Sequence, residues 1–298
     1  MTGSFRVDDT RAGQSAVVGV VANGNLLLSS GLSGDGQTVP FSYTVTLPAG
    51  STVVFSAQGG NPVTGLTAAI TGPLITQIPY YFSQIAVGGG FQTTLTFINY
   101  SPQQITSVTN FYSDIGSPLS VPFSEGAVST RTDTLQAGQS IHDQTTSNSG
   151  AVTPGWAQAT CTGSVQASLL YRLFQAGVPV SEAGVNAETA PTNEFATFAQ
   201  TATGVAYANP STTQSANITL TVYSATGARL GSQIVTFGPL AHGAANLGPL
   251  LGIASFTGFV KITSTLPIIS LSLNAEAYPV ISSLPPVDLL SSTLLVTP

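Results

Sequence analysis

Two histidines and a small set of acidic residues are the side chains that could perform acid–base or nucleophilic chemistry. His142 precedes Asp143, so a histidine–aspartate pair that activates one of the many serines is one interpretation. His242 follows a strand-like segment at the corresponding place in the second half of the chain. No Gly-x-Ser-x-Gly sequence is present to carry a nucleophile on a sharp turn. The pattern therefore favours two loop histidines over a hydrolase, which stays an alternative.

Paired carboxylates are the second candidate, since glycoside hydrolysis needs two acids about 5 to 10 Å apart. Most of the acids lie in polar, loop-like stretches, where solvated side chains are expected. Glu182 and Glu276 instead follow the final strands of two similar segments, so we expect them to accept hydrogen bonds from the backbone or from Arg172. The full pool is Glu125, Asp133, Asp143, Glu182, Glu188, Glu194 and Glu276.

Neither a metal site nor a cofactor site is predicted. Two histidines and the single Cys161 do not supply the three or four ligands of zinc, and Cys161 is expected to be a buried thiol in a strand. Asp8-Asp9 or Asp35-Gly36 could offer oxygen ligands to calcium, but a turn explains Asp35-Gly36 better. Gly88-Gly89-Gly90 precedes a strand-like alternation rather than a helix, which predicts a tight bend and not a phosphate loop.

Consecutive aromatic residues suggest a carbohydrate site. Tyr80, Tyr81 and Phe82 are adjacent, so at least one of them must face away from any single core. An exposed row of rings would stack on sugars, which makes Tyr80 and Tyr81 the candidate carbohydrate-binding residues. Trp156 aligns with Phe259, and a shared core position is expected for that pair.

The composition limits the partners of the protein. Only 6% of the 298 residues are charged, against about 25% in a typical soluble protein. No apolar run approaches the roughly 20 residues that span a membrane, and residues 1–6 lack the apolar segment of a signal peptide. The net charge of −6 argues against binding to nucleic acid or to anionic membranes. A surface rich in Ser, Thr and Gly and poor in Lys is typical of secreted and cell-surface proteins.

Strand signals dominate the elements that would position these residues. Phe41–Leu47 and Ile218–Tyr223 alternate between apolar and polar residues, and Ile268–Leu273 does so less regularly. Turn sequences rich in Gly, Asn and Asp separate such runs, whereas helical periodicity is almost absent. The predicted fold class is all-β, with short strands in sandwiches or barrels.

An internal duplication organises the chain. Two stretches about a hundred residues apart repeat the same residue types in the same order, which indicates a duplicated folding unit. The aligned pairs are Asn99 with Asn209, Tyr112 with Tyr223, Gly116 with Gly227, Gly155-Trp156 with Gly258-Phe259, and Leu135–Gly138 with Leu240–Gly243.

The predicted organisation has four parts. Residues 1–73 form a small or partial β segment, 78–187 the first sandwich repeat and 194–285 the second, with a linker-like stretch at 186–193 between them. The tail, 286–298, could pack on the last sandwich or add a strand to a neighbouring chain. Its apolar residues are the candidate assembly strand: Leu289, Leu290, Leu294, Leu295 and Val296.

The repeats resemble tandem modules of large secreted proteins of soil bacteria over residues 80–285. In the first repeat the residues that carry this resemblance are Ile85–Thr94, Asn99, Phe111–Asp114 and Gly155–Ala157; in the second they are Thr203–Ala206, Asn209-Pro210 and Gly227. Separately, Val45–Phe55 resembles the latter part of a sandwich module of secreted polysaccharide-associated proteins, whose earlier strands are missing here. The resemblance implies an extracellular, β-rich location rather than an activity.

These observations favour a non-enzymatic, extracellular structural or adhesive protein. Few charges mean little self-repulsion, and strand edges without lysines can pair with another chain, so self-association into a surface layer or filament is expected. A cell-surface partner is also compatible with the sequence. The alternative is a carbohydrate-binding module for a polysaccharide.

Overall fold

A computed structural model describes residues 2–6, 15–22, 25–33, 38–42, 53–59, 77–146 and 150–288. The candidate assembly residues Leu289, Leu290, Leu294, Leu295 and Val296 lie outside these ranges, as do Asp8, Asp9 and Asp35. The chain divides into two compact units, residues 1–77 and 78–298.

The first unit contains five described strands in two small antiparallel sheets. Strand β1 (Thr2–Arg6) pairs with β4 (Thr38–Ser42). Strand β2 (Ser15–Ala22) lies between β3 (Asn25–Ser33) and β5 (Val53–Gly59). Only the beginning of the alternating run at 41–47 falls within β4.

The second unit begins with a sandwich formed by the first repeat. One sheet has the strand order β11-β8-β13-β6 and the other the order β12-β7-β14-β15, and a short hairpin, β9-β10, is added to them. The strands are β6 (Ile78–Val87), β7 (Phe91–Ile98), β8 (Ile105–Tyr112), β9 (Val121–Phe123), β10 (Gly126–Val128), β11 (Thr130–Leu135), β12 (Ser140–Gln144), β13 (Thr153–Cys161), β14 (Gln166–Gln175) and β15 (Val178–Asn186).

Alternation along these strands builds the core of the first repeat. In β8 and β14 every second side chain is buried, because successive residues of a strand point to opposite faces. The inward side chains of both sheets meet in one apolar cluster that includes Phe97, Phe111 and Tyr171. Cys161 belongs to the same cluster, as expected for a buried thiol. Gly88, Gly89 and Gly90 have positive φ angles in the turn before β7, which confirms the predicted bend.

The second repeat has the same sheet order. Its sheets are β19-β18-β21-β16-β23 and β20-β17-β21-β22, so β21 belongs to both. The elements are β16 (Thr192–Gln200), β17 (Thr203–Ala208), β18 (Ala216–Ser224), β19 (Arg229–Phe237), β20 (His242–Asn246), α1 (Leu247–Leu251), β21 (Thr257–Asn274), β22 (Ser282–Leu284) and β23 (Val287–Asp288). The prediction of an all-β fold built from duplicated sandwiches is confirmed.

One long strand replaces two shorter ones. In the first repeat β13 and β14 lie in different sheets and are separated by residues 162–165. In the second repeat the 18 residues of β21 run without interruption, first beside β16 and β18 and then beside β17.

Two buried asparagines perform the same structural task in the two repeats. The Asn99 side-chain amide donates to three carbonyl oxygens, those of Gln103, Leu135 and Gln136, at 2.7 to 3.2 Å. The Asn209 amide donates to the carbonyl oxygens of Gln214, Phe237 and Gly238 at 2.8 to 3.4 Å. Each asparagine therefore ties the end of one strand to the loop that follows another.

These contacts correct one part of the sequence alignment. The Asn99 amide donates to the carbonyl oxygens of Leu135 and Gln136, and the Asn209 amide donates to those of Phe237 and Gly238. Leu135–Gly138 therefore corresponds to 237–240 and not to 240–243. Gly138 and Leu240 are then equivalent, and both have a positive φ, 72° and 58°. His242 consequently matches Ser140, and the two histidines are not equivalent residues.

Candidate functional site

The two repeats share a buried interface centred on the only tryptophan. Trp156 lies on β13 and points away from the core of its own sandwich, yet it is 0% exposed because Ala208 and Ile269 of the second repeat cover it. Its indole Nε1–H donates to the Leu240 carbonyl oxygen at 2.7 Å. Its ring also stacks on Tyr112, with the ring centroids 4.8 Å apart.

His242 adds a second set of polar contacts at this interface. The buried ring lies with Nδ1 2.7 Å from Asp114 Oδ1 and Nε2 2.9 Å from Gln84 Oε1. The His242 backbone N–H also donates to the Asp114 carbonyl oxygen. Both ring nitrogens therefore have a polar partner in the first repeat. His242 is therefore an interface residue rather than the loop residue that the sequence favoured.

The backbones of the two repeats also touch at this interface, at Gly116. Gly116 has a φ of 79° in the turn after β8, and a Cβ atom placed there would overlap the Pro239 carbonyl oxygen. Gly227 occupies the equivalent turn of the second repeat with a φ of 84°, and a Cβ atom at that position meets nothing within 4 Å. Glycine at 116 is thus required by the interface as well as by the turn.

Glu188 links both repeats from the segment between them. Its backbone N–H and carbonyl pair with those of Tyr81 at 2.9 and 2.8 Å. Its Oε1 accepts hydrogen bonds from the Ser83 hydroxyl at 2.8 Å and from the Ser270 backbone N–H at 3.0 Å. Burial raises the pKa of Glu188 to about 7, although both hydrogen bonds oppose that rise. This acid is a structural link and not a solvated linker residue.

A cleft of about 800 Å³ opens beside Glu188. Both repeats contribute to its wall, which carries hydroxyl and amide groups together with about as many apolar side chains, among them Leu170 and Phe195. The polar lining residues are Thr96, Ser168, Asn186, Glu188, Thr189, Thr192, Ser270 and Ser283.

The candidate carbohydrate-binding tyrosines do not form an exposed row. Tyr80 is 5% exposed and its hydroxyl accepts a hydrogen bond from the Val165 backbone N–H at 2.9 Å. Tyr81 faces outward from its sandwich, as one of the consecutive aromatics had to, but it packs against the Trp156 cluster. Tyr80 belongs to the core of the first repeat, and Tyr81 is partly buried against the cluster that the second repeat covers, so the two rings do not form a platform for stacking on a sugar.

The His142–Asp143 pair that the hydrolase alternative would need is not formed. The two residues are neighbours on β12, so their side chains point to opposite faces. His142 is exposed, and its Nδ1 lies 3.0 Å from the Thr96 hydroxyl. Asp143 is buried, and its Oδ1 lies 2.8 Å from Nη2 of Arg131.

Arg131 gathers three acids that were expected to be solvated. Its guanidinium lies 2.8 Å from Asp143, 3.3 Å from Asp133 and 3.7 Å from Glu125, and 4.9 Å above the Phe123 ring centroid. Burial and the neighbouring Asp133 charge raise the pKa of Asp143 to about 6, against the opposing effect of Arg131. The expectation of solvated loop acids is wrong for Asp133 and Asp143, since both lie on strands.

The remaining acids with described side chains also have structural partners. Glu182 pairs with Arg172, and Glu276 accepts a hydrogen bond from the Ala202 backbone N–H at 2.7 Å, as expected for both. Glu194 lies 2.5 Å from the Lys261 amine. Across the ranges that the structure covers, no cluster of His, Cys and acidic side chains could hold a metal ion.

The outer surface of one sheet of the second repeat, which we name the open face, mixes apolar and polar side chains. Its apolar members lie on five neighbouring strands, and the same surface carries polar and charged side chains on those strands. The apolar members are Ile234, Tyr223, Phe259, Phe198 and Val287, and the polar ones include Arg229, Thr219, Thr221, Lys261, Thr263 and Glu194. Phe198, Phe259 and Tyr223 face each other directly across β16, β21 and β18. Phe198 is 47% exposed, Ile234 63% and Val287 61%. Sequence alternation could place each residue on a strand, but not bring five distant strands together.

The shared core position expected for Trp156 and Phe259 is wrong, because both rings point outward from their own sandwiches. Trp156 is nevertheless completely buried, whereas Phe259 is partly exposed on the open face. The difference arises because the second repeat covers Trp156.

No protein-family model, curated protein or solved structure matches the chain. The resemblance to modules of secreted bacterial proteins therefore stays a prediction. Among the described residues, no helix has the length and apolar character needed to cross a membrane.

Proposed function

We propose that this chain is a non-enzymatic structural or adhesive protein of the cell exterior that self-assembles into a surface layer or filament. The observation that carries the proposal is the use of the ionisable residues. Within the described ranges, the acids and His242 take part in contacts that hold strands or repeats together. Large apolar side chains such as Phe198 and Ile234 are meanwhile exposed on the open face.

The interface between the repeats supports a structural role. Trp156, His242 and Glu188 each join the two sandwiches through hydrogen bonds from buried or partly buried groups. Leu271 and Ile281 of the second repeat also belong to the apolar cluster of the first. Such contacts fix the repeats to each other, as a subunit of an ordered assembly requires.

The low charge supports self-association as well. With 6% charged residues, copies of the chain repel one another little. Strand β23 pairs with β16 just before the apolar tail, so the chain enters the tail along a sheet edge. A tail that continues this pairing in a neighbouring copy would extend the sheet between chains.

Light scattering after size-exclusion chromatography, together with electron microscopy of the same sample, tests the proposal. We expect a mass above that of one chain that grows with concentration, and ordered polymers in the images. A single chain at every concentration, seen as isolated particles, would contradict self-assembly.

A second candidate function is binding of a polysaccharide segment. The observation in its favour is the cleft beside Glu188, whose hydroxyl and amide groups could bind sugar hydroxyls while its apolar side chains contact the sugar rings. Pull-down with insoluble polysaccharides tests it, with Ser168→Leu as the variant that fills the cleft wall and Thr226→Leu, in an exposed turn of the second repeat, as the control. Equal binding by both variants would refute a ligand in the cleft.

A further inference from the structure

The last described strand runs towards the cleft beside Glu188. Strand β23 is antiparallel to β16, and its final residue, Asp288, lies opposite Phe195. Each further residue of the chain therefore moves towards Thr192, the first residue of β16. Phe195 and Thr192 both line the cleft. The residues after Asp288, which we name segment 289–298, are thus directed at the cleft.

The outer face of one sheet of the first repeat forms the floor of this cleft. Thr96, Ser168 and Asn186 lie side by side on β7, β14 and β15. One row further along, Leu170 lies opposite Gly184, and a Cβ atom placed on Gly184 meets nothing within 4 Å. Three neighbouring strands span about 10 Å, since adjacent strands lie about 4.8 Å apart. The floor is therefore open and wide enough for one extended segment.

The side chains of the cleft suit an uncharged segment. Among the described lining residues Glu188 alone is ionisable, and its Oε1 already accepts two hydrogen bonds from the protein. Apolar side chains such as Leu170 and Phe195 lie in the wall beside hydroxyl and amide groups. Segment 289–298 has four leucines, one valine and no charged side chain. Its burial in the cleft would remove apolar surface from water on both sides of the contact.

Alternation divides the apolar residues of the segment into two sets. Opposite residues of an antiparallel pair point to the same face of the sheet, so Asp288 shares the side of Phe195. Every second residue after Asp288 shares that side if the pairing continues, and the residues between them point away from the cleft. The cleft side then carries Leu290, Ser292, Leu294 and Val296, and the other side carries Leu289, Ser291, Thr293 and Leu295.

We infer that segment 289–298 continues β23 and covers the cleft of its own chain, with Leu290, Leu294 and Val296 turned towards the cleft wall. From Asp288 to Val296 an extended chain reaches about 26 Å, more than twice the width of the floor. The segment of the same chain is favoured over that of a neighbour, because β23 already holds its beginning at the edge of the cleft. Its effective concentration there exceeds that of any second chain in dilute solution.

This contact goes beyond the proposed assembly and would limit it. A segment that lies in its own cleft cannot pair with a neighbouring sheet, so assembly through this segment requires its release. The covered cleft also excludes a polysaccharide until the segment leaves. Assembly through other contacts does not depend on the segment.

The test measures how fast a thiol reagent modifies the variant Ser168→Cys, since Ser168 lies on the floor of the cleft. The one native cysteine, Cys161, is 0% exposed and should not react. Leu290→Asp together with Leu294→Asp is added to release the segment. The matched control is Leu289→Asp together with Leu295→Asp, which adds the same charges on the side that points away. Circular dichroism establishes that each variant is folded.

We expect the Leu290→Asp and Leu294→Asp pair to raise the modification rate of the introduced thiol at least about fivefold, and the control pair to leave it within about twofold. Equal rates with the two pairs would overturn the inference. A rate that falls as the protein concentration rises, with the segment unchanged, would also overturn it, because a neighbouring chain would then cover the cleft. Protection of the thiol by an added soluble polysaccharide, again with the segment unchanged, would overturn it in favour of a carbohydrate site. Light scattering decides the proposed assembly separately.

Discussion

Gly116→Ala should disturb the contact between the two repeats, because the turn that contains Gly116 packs against the second repeat. Gly227→Ala makes the same change in the equivalent turn of the second repeat, which has no neighbour within 4 Å of the added Cβ atom. Both glycines have nearly the same positive φ, 79° and 84°. The hydrogen bonds of the two turns also match, since Gly116 donates to Ser113 as Gly227 donates to Ser224. The backbone cost of alanine should therefore be nearly equal at the two positions.

The contact of the new methyl group distinguishes them. An alanine with a left-handed backbone costs roughly 1–2 kcal/mol in either turn. At 116 the added Cβ overlaps the Pro239 carbonyl oxygen and lies 3.1 Å from the Leu240 carbonyl carbon, whereas at 227 the space is open. Overpacking of this kind costs about 1–3 kcal/mol. We expect Gly116→Ala to lose about 2 kcal/mol more of the free energy of unfolding than Gly227→Ala.

Urea unfolding measures this difference with two signals. Trp156 is the only tryptophan of the chain and lies in the interface, so its fluorescence follows separation of the repeats. Far-ultraviolet circular dichroism follows the loss of strands in both sandwiches. For Gly116→Ala, we expect the tryptophan emission to shift to longer wavelength with a midpoint at a lower urea concentration than the midpoint of the circular dichroism signal. Equal midpoints for the two variants by both signals would refute the described interface.

Three further substitutions test the buried contacts. Trp156→Phe removes the donor to the Leu240 carbonyl and part of a buried ring, and we expect a loss of about 2–4 kcal/mol in urea unfolding; a loss below 1 kcal/mol would contradict the contact. Asn209→Ala leaves buried carbonyl groups without a donor and should cost at least about 2 kcal/mol, read as a lower Tm. The pKa of Glu188 is about 7 in the folded protein and about 4.5 in the unfolded chain. Because the folded state holds the proton more tightly, the contribution of Glu188 to the free energy of unfolding is lost as the pH rises between these two values. That loss is at most about 3 kcal/mol. Glu188→Gln should flatten this part of the stability profile, and an unchanged slope would show that Glu188 does not titrate as described.

Much of the fold is readable from the sequence. Alternation identified strands such as β18, and the paired asparagines marked the duplication, because each repeat needs a side-chain amide to satisfy the same carbonyl groups. The alignment of Leu135–Gly138 with 240–243 was shifted by three residues because Leu240, and not a glycine, stands at the position equivalent to Gly138. A glycine normally marks a positive φ, and the sequence carries no sign that a leucine adopts it here.

The site was less predictable, since it depends on how the sandwiches meet. Tyr81 had to face outward, and the sequence cannot show that the second repeat covers it. Asp143 looked solvated because its partner Arg131 lies on β11, the edge strand of the opposite sheet, and the sequence does not show that this strand lies beside β12. Glu182 was predicted correctly, as its partner Arg172 lies directly opposite on the neighbouring strand.

The continuous strand β21 gives the two sandwiches different mechanical properties. A strand of 18 residues is about 60 Å long when extended, and in the second repeat it ties both sheets together through the main chain. The first repeat has a break at residues 162–165 in the same place. Under a stretching force, we therefore expect the two sheets of the first sandwich to separate before those of the second, because residues 162–165 are not held in either sheet as a strand.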